Sequence, residues 1–319
     1  MTELKITMLG PTSVGKTSLL TAMYEQFKNV VGSTSLQLTA EGDSANLLHE
    51  QLIELKSLPD TFKSVKAEGG IAGSNEVSDF TFSLRKRGTM TSSLKLHFLD
   101  YPGGYHKDKE IYITQQLTQC VAVLIAIDAA ALMEEDGQWH EYVNRPQQVT
   151  ELFEKTYTDL DSPRLVILAP VKCEKYMKDS ESAERLRRTI REKYKNLLNH
   201  FRSKALQPKV AVVITPVQTV GSVFFSRIEV VGKEPQFVFR KPSSSDTYNP
   251  QGSEQPLRYL LSFLLKRHIE QRHWKFFDFI RVVFSKDTEF REAVRKFAAV
   301  YDKEAGSEVV QGQLLLNID

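Results

Sequence analysis

The chain has 319 residues, of which 41% are hydrophobic and 26% are charged, and this near-average usage excludes the compositions of disordered and membrane proteins. The formal net charge of +2 is too small to indicate nucleic acid as the main partner. The longest apolar run, Cys120 to Ile127, is too short to span a bilayer, and the sparse cysteines, Cys120 and Cys173, fit a reducing compartment. We therefore expect a cytoplasmic protein without a secretory signal or a transmembrane segment.

Charge is distributed unevenly along the chain. Residues 100–161 contain 12 acids and 4 bases, whereas residues 181–209 contain 3 acids and 9 bases. Two solvated helical faces of opposite sign would explain this pattern. A docking patch for an acidic partner or an anionic membrane is the alternative.

Strand-like and helix-like segments alternate from the amino end. Apolar runs and apolar–polar alternation predict strands, whereas apolar residues at helical spacing predict helices. Strands separated by helices favour a mostly parallel central sheet that is covered on both faces. The predicted strands are 4–9, 79–86, 94–99, 120–127, 164–169 and 209–214, and the predicted helices are 16–27, 43–58, 146–160 and 182–206.

Three segments depart from this alternation. Residues 30–77 contain the helix 43–58 and a glycine-rich stretch, and we interpret them as an inserted helical region. Residues 222–252 are interpreted as a hairpin insertion, with strands in 223–239 broken at Gly232-Lys233-Glu234-Pro235. Two further helices, 255–273 and 276–301, are predicted near the carboxyl end. The predicted division is a main domain over 1–273 and a helical extension with a tail over 274–319.

The segment Gly10-Pro11-Thr12-Ser13-Val14-Gly15-Lys16-Thr17 matches the P-loop pattern at every fixed position. Its glycines permit a backbone whose N–H groups converge on phosphate, and the following helix contributes its positive dipole end. Lys16 would reach the outer phosphates, and the Thr17 hydroxyl would ligate Mg²⁺. The fold predicted from this motif is a three-layer α/β/α P-loop NTPase. The predicted nucleotide-binding residues here are Gly10, Thr12, Ser13, Val14, Gly15, Lys16, Thr17 and Ser18.

A second motif follows the strand 94–99. Asp100 ends this strand and precedes Tyr101-Pro102-Gly103-Gly104. In P-loop proteins an acid at the end of a neighbouring strand holds Mg²⁺. We therefore predict Thr17 and Asp100 as the metal-binding residues. Gly103 would donate its N–H to the terminal phosphate, which makes Lys16, Asp100 and Gly103 the predicted catalytic residues.

Together these two motifs resemble the TRAFAC-clade regulatory GTPases, which include the Ras-like proteins and translation factors. The resemblance covers residues 1–221 in segment order. The inserted helix and the Asp-Tyr-Pro-Gly-Gly sequence look like those of bacterial double-GTPase proteins linked to conflict systems. The resemblance implies a switch that binds GTP or GDP with Mg²⁺, hydrolyses GTP and signals to a protein partner.

The guanine-reading motif of this family, Asn-Lys-x-Asp, is altered here to Val171-Lys172-Cys173-Glu174. Lys172 matches, whereas Glu174 is one methylene longer than the family's aspartate. If Glu174 reaches the base, guanine selectivity survives; otherwise ATP or loose specificity becomes possible. Lys172 and Glu174 as ordinary loop residues are the alternative. By position in the family, Thr215 and Val217 are candidates for supporting the base.

The hydrolytic apparatus implied by the resemblance is also incomplete. Gly104 stands where Ras-like members have the glutamine that orients the attacking water, so we expect slow hydrolysis by the isolated protein. Tyr105, His106, or an arginine from a partner or from self-association are candidates to complete the site. Thr61 is the favoured switch threonine. The rival functions are an ATP-binding P-loop NTPase and a non-hydrolysing pseudo-GTPase scaffold.

Overall fold

The computed structural model describes residues 3–11, 13–30, 35–58, 65–66, 78–89, 94–101, 107–243, 245–269, 283–285, 287–299 and 306–316. Eight of the strands in this part of the chain form one central sheet, and three form a smaller sheet. The strands are β1 (Glu3–Leu9), β2 (Leu36–Ala40), β3 (Val65–Lys66), β4 (Ser78–Lys86), β5 (Leu94–Asp100), β6 (Ala122–Asp128), β7 (Arg164–Val171), β8 (Val210–Ile214), β9 (Phe224–Val231), β10 (Glu234–Arg240) and β11 (Glu308–Gln311).

The central sheet has the order β11-β8-β7-β6-β1-β5-β4-β2. Its five middle strands are mutually parallel, whereas β4 runs antiparallel to β5, β2 antiparallel to β4 and β11 antiparallel to β8. Because parallel strands share one direction, their carboxyl ends meet at one edge of the sheet. The register brings Met8 opposite Asp100 and Asp128 opposite Val171 at this edge.

Helices cover both faces of the sheet, which makes a three-layer α/β/α fold of the P-loop type and confirms the predicted fold class. One face carries α1, α9 and α10, and the other carries α3, α6, α7 and α8. The helices are α1 (Lys16–Val30), α2 (Asp43–Ser57), α3 (Lys107–Gln119), α4 (Ala129–Met133), α5 (His140–Val143), α6 (Pro146–Thr156), α7 (Ser180–Lys193), α8 (Lys195–Phe201), α9 (Gln255–Ile269) and α10 (Thr288–Ala299).

Strand β6 illustrates why the middle strands are apolar throughout. Leu124 faces the core on the α1 side, whereas its neighbours Val123 and Ile125 face the core on the α6 side. Alternate side chains of a strand point to opposite faces, so a strand that is buried on both sides needs an unbroken apolar run. No helix in the described part of the chain is long and apolar enough to cross a membrane.

The smaller sheet has the order β3-β10-β9 and contains the predicted hairpin. Val220, Val223, Phe225, Phe237 and Phe239 form a separate apolar cluster with Leu55 of α2 and with Ala130 and Ala131 of α4. The hairpin is therefore packed between the inserted helix and the carboxyl edge of the central sheet.

Several predicted boundaries were wrong. The helix predicted over 182–206 is two helices, α7 and α8, separated at Tyr194. The helix predicted over 276–301 is interrupted at Asp287, because the Asp287 carboxylate accepts the Phe290 N–H at 2.8 Å and starts α10 at Thr288. Strand β11 was not predicted, and it pairs with the outer edge of β8.

The carboxyl-terminal segments pack on the main core. Phe297 of α10 is fully buried, and its ring lies 4.9 Å from the Phe27 ring of α1. Phe284, Phe290 and Leu316 belong to the same apolar core as β1 and β5. The domain boundary between residues 273 and 274 stays a prediction.

Candidate nucleotide-binding site

We call the loop between β1 and α1 the phosphate loop, and its backbone is strained. Gly10 has φ +142°, and a Cβ there would lie 2.9 Å from the carbonyl oxygen of Ala126. Ser13 has φ +63° and Gly15 has φ +106°. Turns that alternate into the left-handed region form concave nests of N–H groups that bind anions. Glycine at position 10 is required sterically, because the loop passes close to β6.

Lys16 is the first residue of α1, and its side chain folds back onto the loop. Its Nζ donates to the carbonyl oxygens of Gly10 and Pro11, both at 3.1 Å, and lies 3.6 Å from Asp100 Oδ1. Burial lowers the pKa of Lys16, and Asp100 opposes this shift. The Lys16 ammonium therefore lies inside the phosphate loop, where its neighbours are two neutral carbonyl oxygens and one carboxylate.

Asp100 reaches the loop from the end of β5, which is the strand next to β1. The Thr17 hydroxyl donates to Asp100 Oδ2 at 2.8 Å. Burial raises the pKa of Asp100, and Lys16 and Thr17 act in the opposite direction. The two predicted metal-binding residues are therefore in direct contact.

These residues fit a magnesium ion by their chemistry. Asp100 Oδ1 is buried and has no hydrogen-bond partner among the described residues, although Lys16 lies nearby. The Thr17 oxygen, while donating its proton, keeps lone pairs that can act as ligands. Mg²⁺ prefers hard oxygen ligands and is bound through one or two protein groups together with phosphates. Asp100 and Thr17 would hold the ion.

Lys172 follows β7 and reaches the phosphate loop from the other side. Its Nζ donates to the Ser13 carbonyl at 2.9 Å and to Asp128 Oδ2 at 2.7 Å. Its backbone is left-handed, with φ +55°. The structure therefore brings Lys172 to the loop, whereas its role in binding the base stays a prediction.

Sequence reasoning missed Asp128. It ends the apolar strand β6 and is only 1% exposed. Its carboxylate also accepts the Ala131 N–H at 3.0 Å and caps α4. An acid at the end of an apolar strand, beside a strand that leads to Lys172, was the available signal, because the carboxyl ends of parallel strands share one edge.

Asn144 and His140 hold Asp128 in place. The Asp128 N–H donates to Asn144 Oδ1 at 2.7 Å, and Asn144 Nδ2 donates to the Asp128 carbonyl at 3.0 Å. His140 Nδ1 lies 3.0 Å from the same Asn144 nitrogen. Burial, with a smaller contribution from Lys193, lowers the pKa of His140 to about 4. This buried network holds Asp128 in place, and Asp128 in turn binds Lys172.

Glu174 is 3% exposed and turns toward the loop after β8. Its Oε1 accepts the N–H groups of Val220 at 3.2 Å and Gly221 at 3.1 Å. Burial raises the pKa of Glu174, and these N–H groups oppose the shift. One oxygen of this carboxylate, Oε1, therefore holds the chain's own loop.

Thr215 and Val217 lie at the same edge and are fully buried. Their N–H groups donate to the carbonyls of Leu168 and Pro170, each at 2.9 Å. Val14 is buried in the phosphate loop, and Ser18 is half-buried in the first turn of α1. The predicted residues Thr12, Thr61 and Gly103 lie outside the described residues, as do Gly104, Tyr105 and His106.

No family model matches the sequence, and no curated protein is similar to it. Among solved structures, the chain is similar to the signal recognition particle receptor SRb-GTP/SRX complex from Chaetomium thermophilum. The identity is 17%, with 69% of this chain and 93% of that chain covered and a TM-score of 0.39. The GTPase-like domain of Ski7 from S. cerevisiae, bound to GTP, is 15% identical, with 67% of this chain and 42% of that chain covered and a TM-score of 0.36. The fold assignment rests on the strand order and the loop geometry described above.

Proposed function

We propose that this chain is a GTP-binding molecular switch that hydrolyses GTP slowly to GDP and phosphate with Mg²⁺ and signals to a protein partner. The observation that carries the proposal is the convergence of Lys16, Thr17 and Asp100 at the phosphate loop, with the 2.8 Å and 3.6 Å contacts among them. A buried ammonium, a hydroxyl and a carboxylate beside a helix amino end match the needs of a polyphosphate with a divalent cation.

Binding of the phosphates is the task of the loop and Lys16. The amino end of α1 carries partial positive charge, because its first N–H groups lack partners within the helix. Lys16 exchanges the carbonyls of Gly10 and Pro11 for phosphate oxygens, which are anionic and bind an ammonium more strongly. The same ammonium stabilises the charge that develops on the outer phosphates during hydrolysis.

Thr17 and Asp100 are the residues that hold magnesium. Held there, Mg²⁺ would neutralise part of the charge of the outer phosphates. Asp100 is fixed by its strand and Thr17 by its helix, so both ligands are positioned before the nucleotide arrives. The Gly103 N–H is proposed to bind the terminal phosphate.

Slow turnover follows from the sequence at position 104. Glycine has no side chain that could orient water, and a GTPase that acts without an arginine finger hydrolyses GTP at about 10⁻⁴ to 10⁻³ s⁻¹. We expect the isolated protein to fall in this range. A protein partner, or a second copy of this chain, would supply the missing group and accelerate hydrolysis.

Titration calorimetry with GTP, GDP and ATP, with and without Mg²⁺, tests the proposal. Lys16→Ala should weaken GTP binding about a hundredfold, because it removes a buried charge partner of the phosphates. Asp100→Ala should remove the magnesium dependence and abolish phosphate release over many turnovers. Lys209→Ala is the matched control, since Lys209 lies before β8 at the opposite edge of the sheet and pairs with Asp159 at 3.0 Å. Full nucleotide affinity in Lys16→Ala would refute the proposal.

ATP is the second candidate nucleotide, favoured by one observation. Val171 replaces the polar residue of the guanine motif, and Glu174 is bonded to Val220 and Gly221. Discrimination between bases depends on buried polar groups that only one base satisfies. Equal displacement of labelled GTP by unlabelled GTP and ATP would assign this chain to the broader class of P-loop NTPases. Binding without turnover would assign it to the pseudo-GTPase scaffolds.

A further inference from the structure

The β9–β10 hairpin lies against the loop that carries Lys172. Lys172 Nζ is 5.8 Å from the centre of the Phe239 ring, and Lys175 Nζ is 4.8 Å from the centre of the Phe225 ring. Cations within about 6 Å of an aromatic face are attracted to it. Two successive lysines of one loop thus contact two aromatic rings of one hairpin.

The hairpin has an irregularity at the residue that meets Lys172. Its register shifts between Val238 and Phe239, so that Phe239 lies opposite Phe225. The two rings are 6.0 Å apart and nearly perpendicular, at 83°. A β-bulge re-aims the side chains beside it and is common next to functional sites. The bulge therefore sets the direction of the Phe239 ring.

The same point of the hairpin is held by the inserted region. Val65 pairs with Phe239 and Lys66 with Val238 through the antiparallel β3–β10 ladder. Strand β10 is thus hydrogen-bonded on both sides at Phe239, by β9 and by β3. Phe239 occupies a fixed position between the inserted region and Lys172.

We propose that the hairpin forms one wall of the nucleoside pocket and that Phe239 contacts the nucleoside of the bound nucleotide. The inference rests on the proposed function. The loop holds the phosphates, and Lys172 is fastened to the Ser13 carbonyl of that loop. A nucleoside that leaves the loop on this side passes the methylene stem of Lys172 and then meets Phe239. Planar bases gain from contact with aromatic rings, whereas phosphate gains nothing from them.

The test compares GTP with inorganic tripolyphosphate, which has the phosphates but no nucleoside. Phe239→Ala should weaken Mg-GTP binding about tenfold, the usual loss when a ring that contacts a base is removed, and leave tripolyphosphate affinity unchanged. Phe237→Ala is the matched control, because Phe237 is as buried as Phe239 and packs on the same Phe225 ring, whereas the ring beside Lys172 is that of Phe239. This control should change the GTP-to-tripolyphosphate affinity ratio by less than about twofold. Thermal melting of each variant reports its folding.

Phe239→Leu keeps an apolar side chain and loses the ring, so its loss of GTP affinity should lie between those of the wild type and Phe239→Ala. It also replaces Phe239→Ala in the test if that variant does not fold. Equal losses for GTP and tripolyphosphate in the Phe239 variants would overturn the inference, as would the same nucleoside-specific loss in Phe237→Ala. Unchanged GTP affinity in a folded Phe239→Ala protein would also overturn it. If the wild-type protein binds neither ligand, the proposed function itself fails, and this result is distinct from the others.

Discussion

The contact between Asp128 and Lys172 links a helix cap to the phosphate loop. Asp128 caps α4 and binds Lys172, and Lys172 holds the Ser13 carbonyl of the phosphate loop. Lys172 and Ser13 both have left-handed backbones, a conformation that costs an ordinary residue about 1 to 2 kcal/mol. The hydrogen bonds between the two segments offset this strain. The phosphate loop thus depends on a residue far from its own motif.

Replacing Asp128 with asparagine should destabilise the protein by about 2 kcal/mol, because it leaves the Lys172 ammonium without its charge partner in a largely buried place. The loss is smaller than for a fully buried pair, since the Lys172 side chain is 19% exposed. Urea unfolding measures it. The double variant Asp128→Asn with Lys172→Met should lose less than the sum of the single losses. Additive losses would contradict a direct interaction.

Individual helices and strands were predictable from the sequence where the local residue pattern agrees with the position of the element in the folded protein. The apolar run of β6 and the glycine turn before α1 predicted both elements, because burial on two faces and phosphate-loop chemistry leave few alternatives. Lys16, Thr17 and Asp100 were predicted together, since motif and strand order both place them at one edge. The position of Asp128 at the end of an apolar strand was a signal that the sequence offered, whereas the contacts of Phe239 depend on pairing between distant segments, which no local pattern encodes.

Short edge strands were the main omission. Strand β2 has five residues and β11 has four, and each forms only because a longer neighbour offers a free edge. The helix break at Asp287 was also missed, because it depends on a hydrogen bond from the backbone to a side chain. The aromatic pattern continues through this position, but the carboxylate caps a new helix. Side chain–backbone bonds of this kind compete with helix continuation, and periodicity alone does not reveal them.

Helix α10 offers a test of how firmly the last helix belongs to the core. Phe297→Ala should destabilise the protein by about 3 to 5 kcal/mol, the usual loss for a fully buried phenylalanine. Its ring contacts Phe27 of α1, and the Arg258 guanidinium lies 4.3 Å from its centre. Glu292→Ala, at an exposed position of the same helix, is the control and should change stability by less than about 0.5 kcal/mol. Similar unfolding midpoints for both variants would place α10 outside the cooperative core.

Across the whole molecule, the acidic and basic segments belong to the same side of the sheet. Helices α3 and α6 contain only 4 of the 12 acids of residues 100–161, whereas α7 contains 5 of the 9 bases of residues 181–209. Helices α3, α6, α7 and α8 all pack into one apolar core. Lys209 and Asp159 join the two segments through an ion pair in which Asp159 is largely exposed. Exposed ion pairs contribute little to stability. The acid sensitivity of the protein should therefore depend more on buried groups than on this charge pattern.

His140 should make a defined contribution to the pH dependence of stability. The pKa of this histidine is about 4 in the folded protein and about 6.5 in an unfolded chain. Between these values the unfolded chain binds a proton that the folded protein does not. Stability should therefore fall as pH decreases from 7 to 4, by up to about 1.4 kcal/mol per pH unit.

Urea unfolding at several pH values measures this contribution. His140→Gln keeps an acceptor for Asn144 but has no proton to bind, so its stability should decline less over the same range. His49→Gln, at an exposed position of α2, should follow the wild-type curve. Parallel curves for wild type and His140→Gln would show that His140 is not the source of the dependence.

The packing of Phe297 on Phe27 has a consequence during protein synthesis. The ribosome adds about 5 to 20 residues per second, so the face of α1 that carries Phe27 emerges on the order of tens of seconds before its cover is made. Until translation reaches α10, this face of α1 lacks the helix that covers Phe27 in the folded protein.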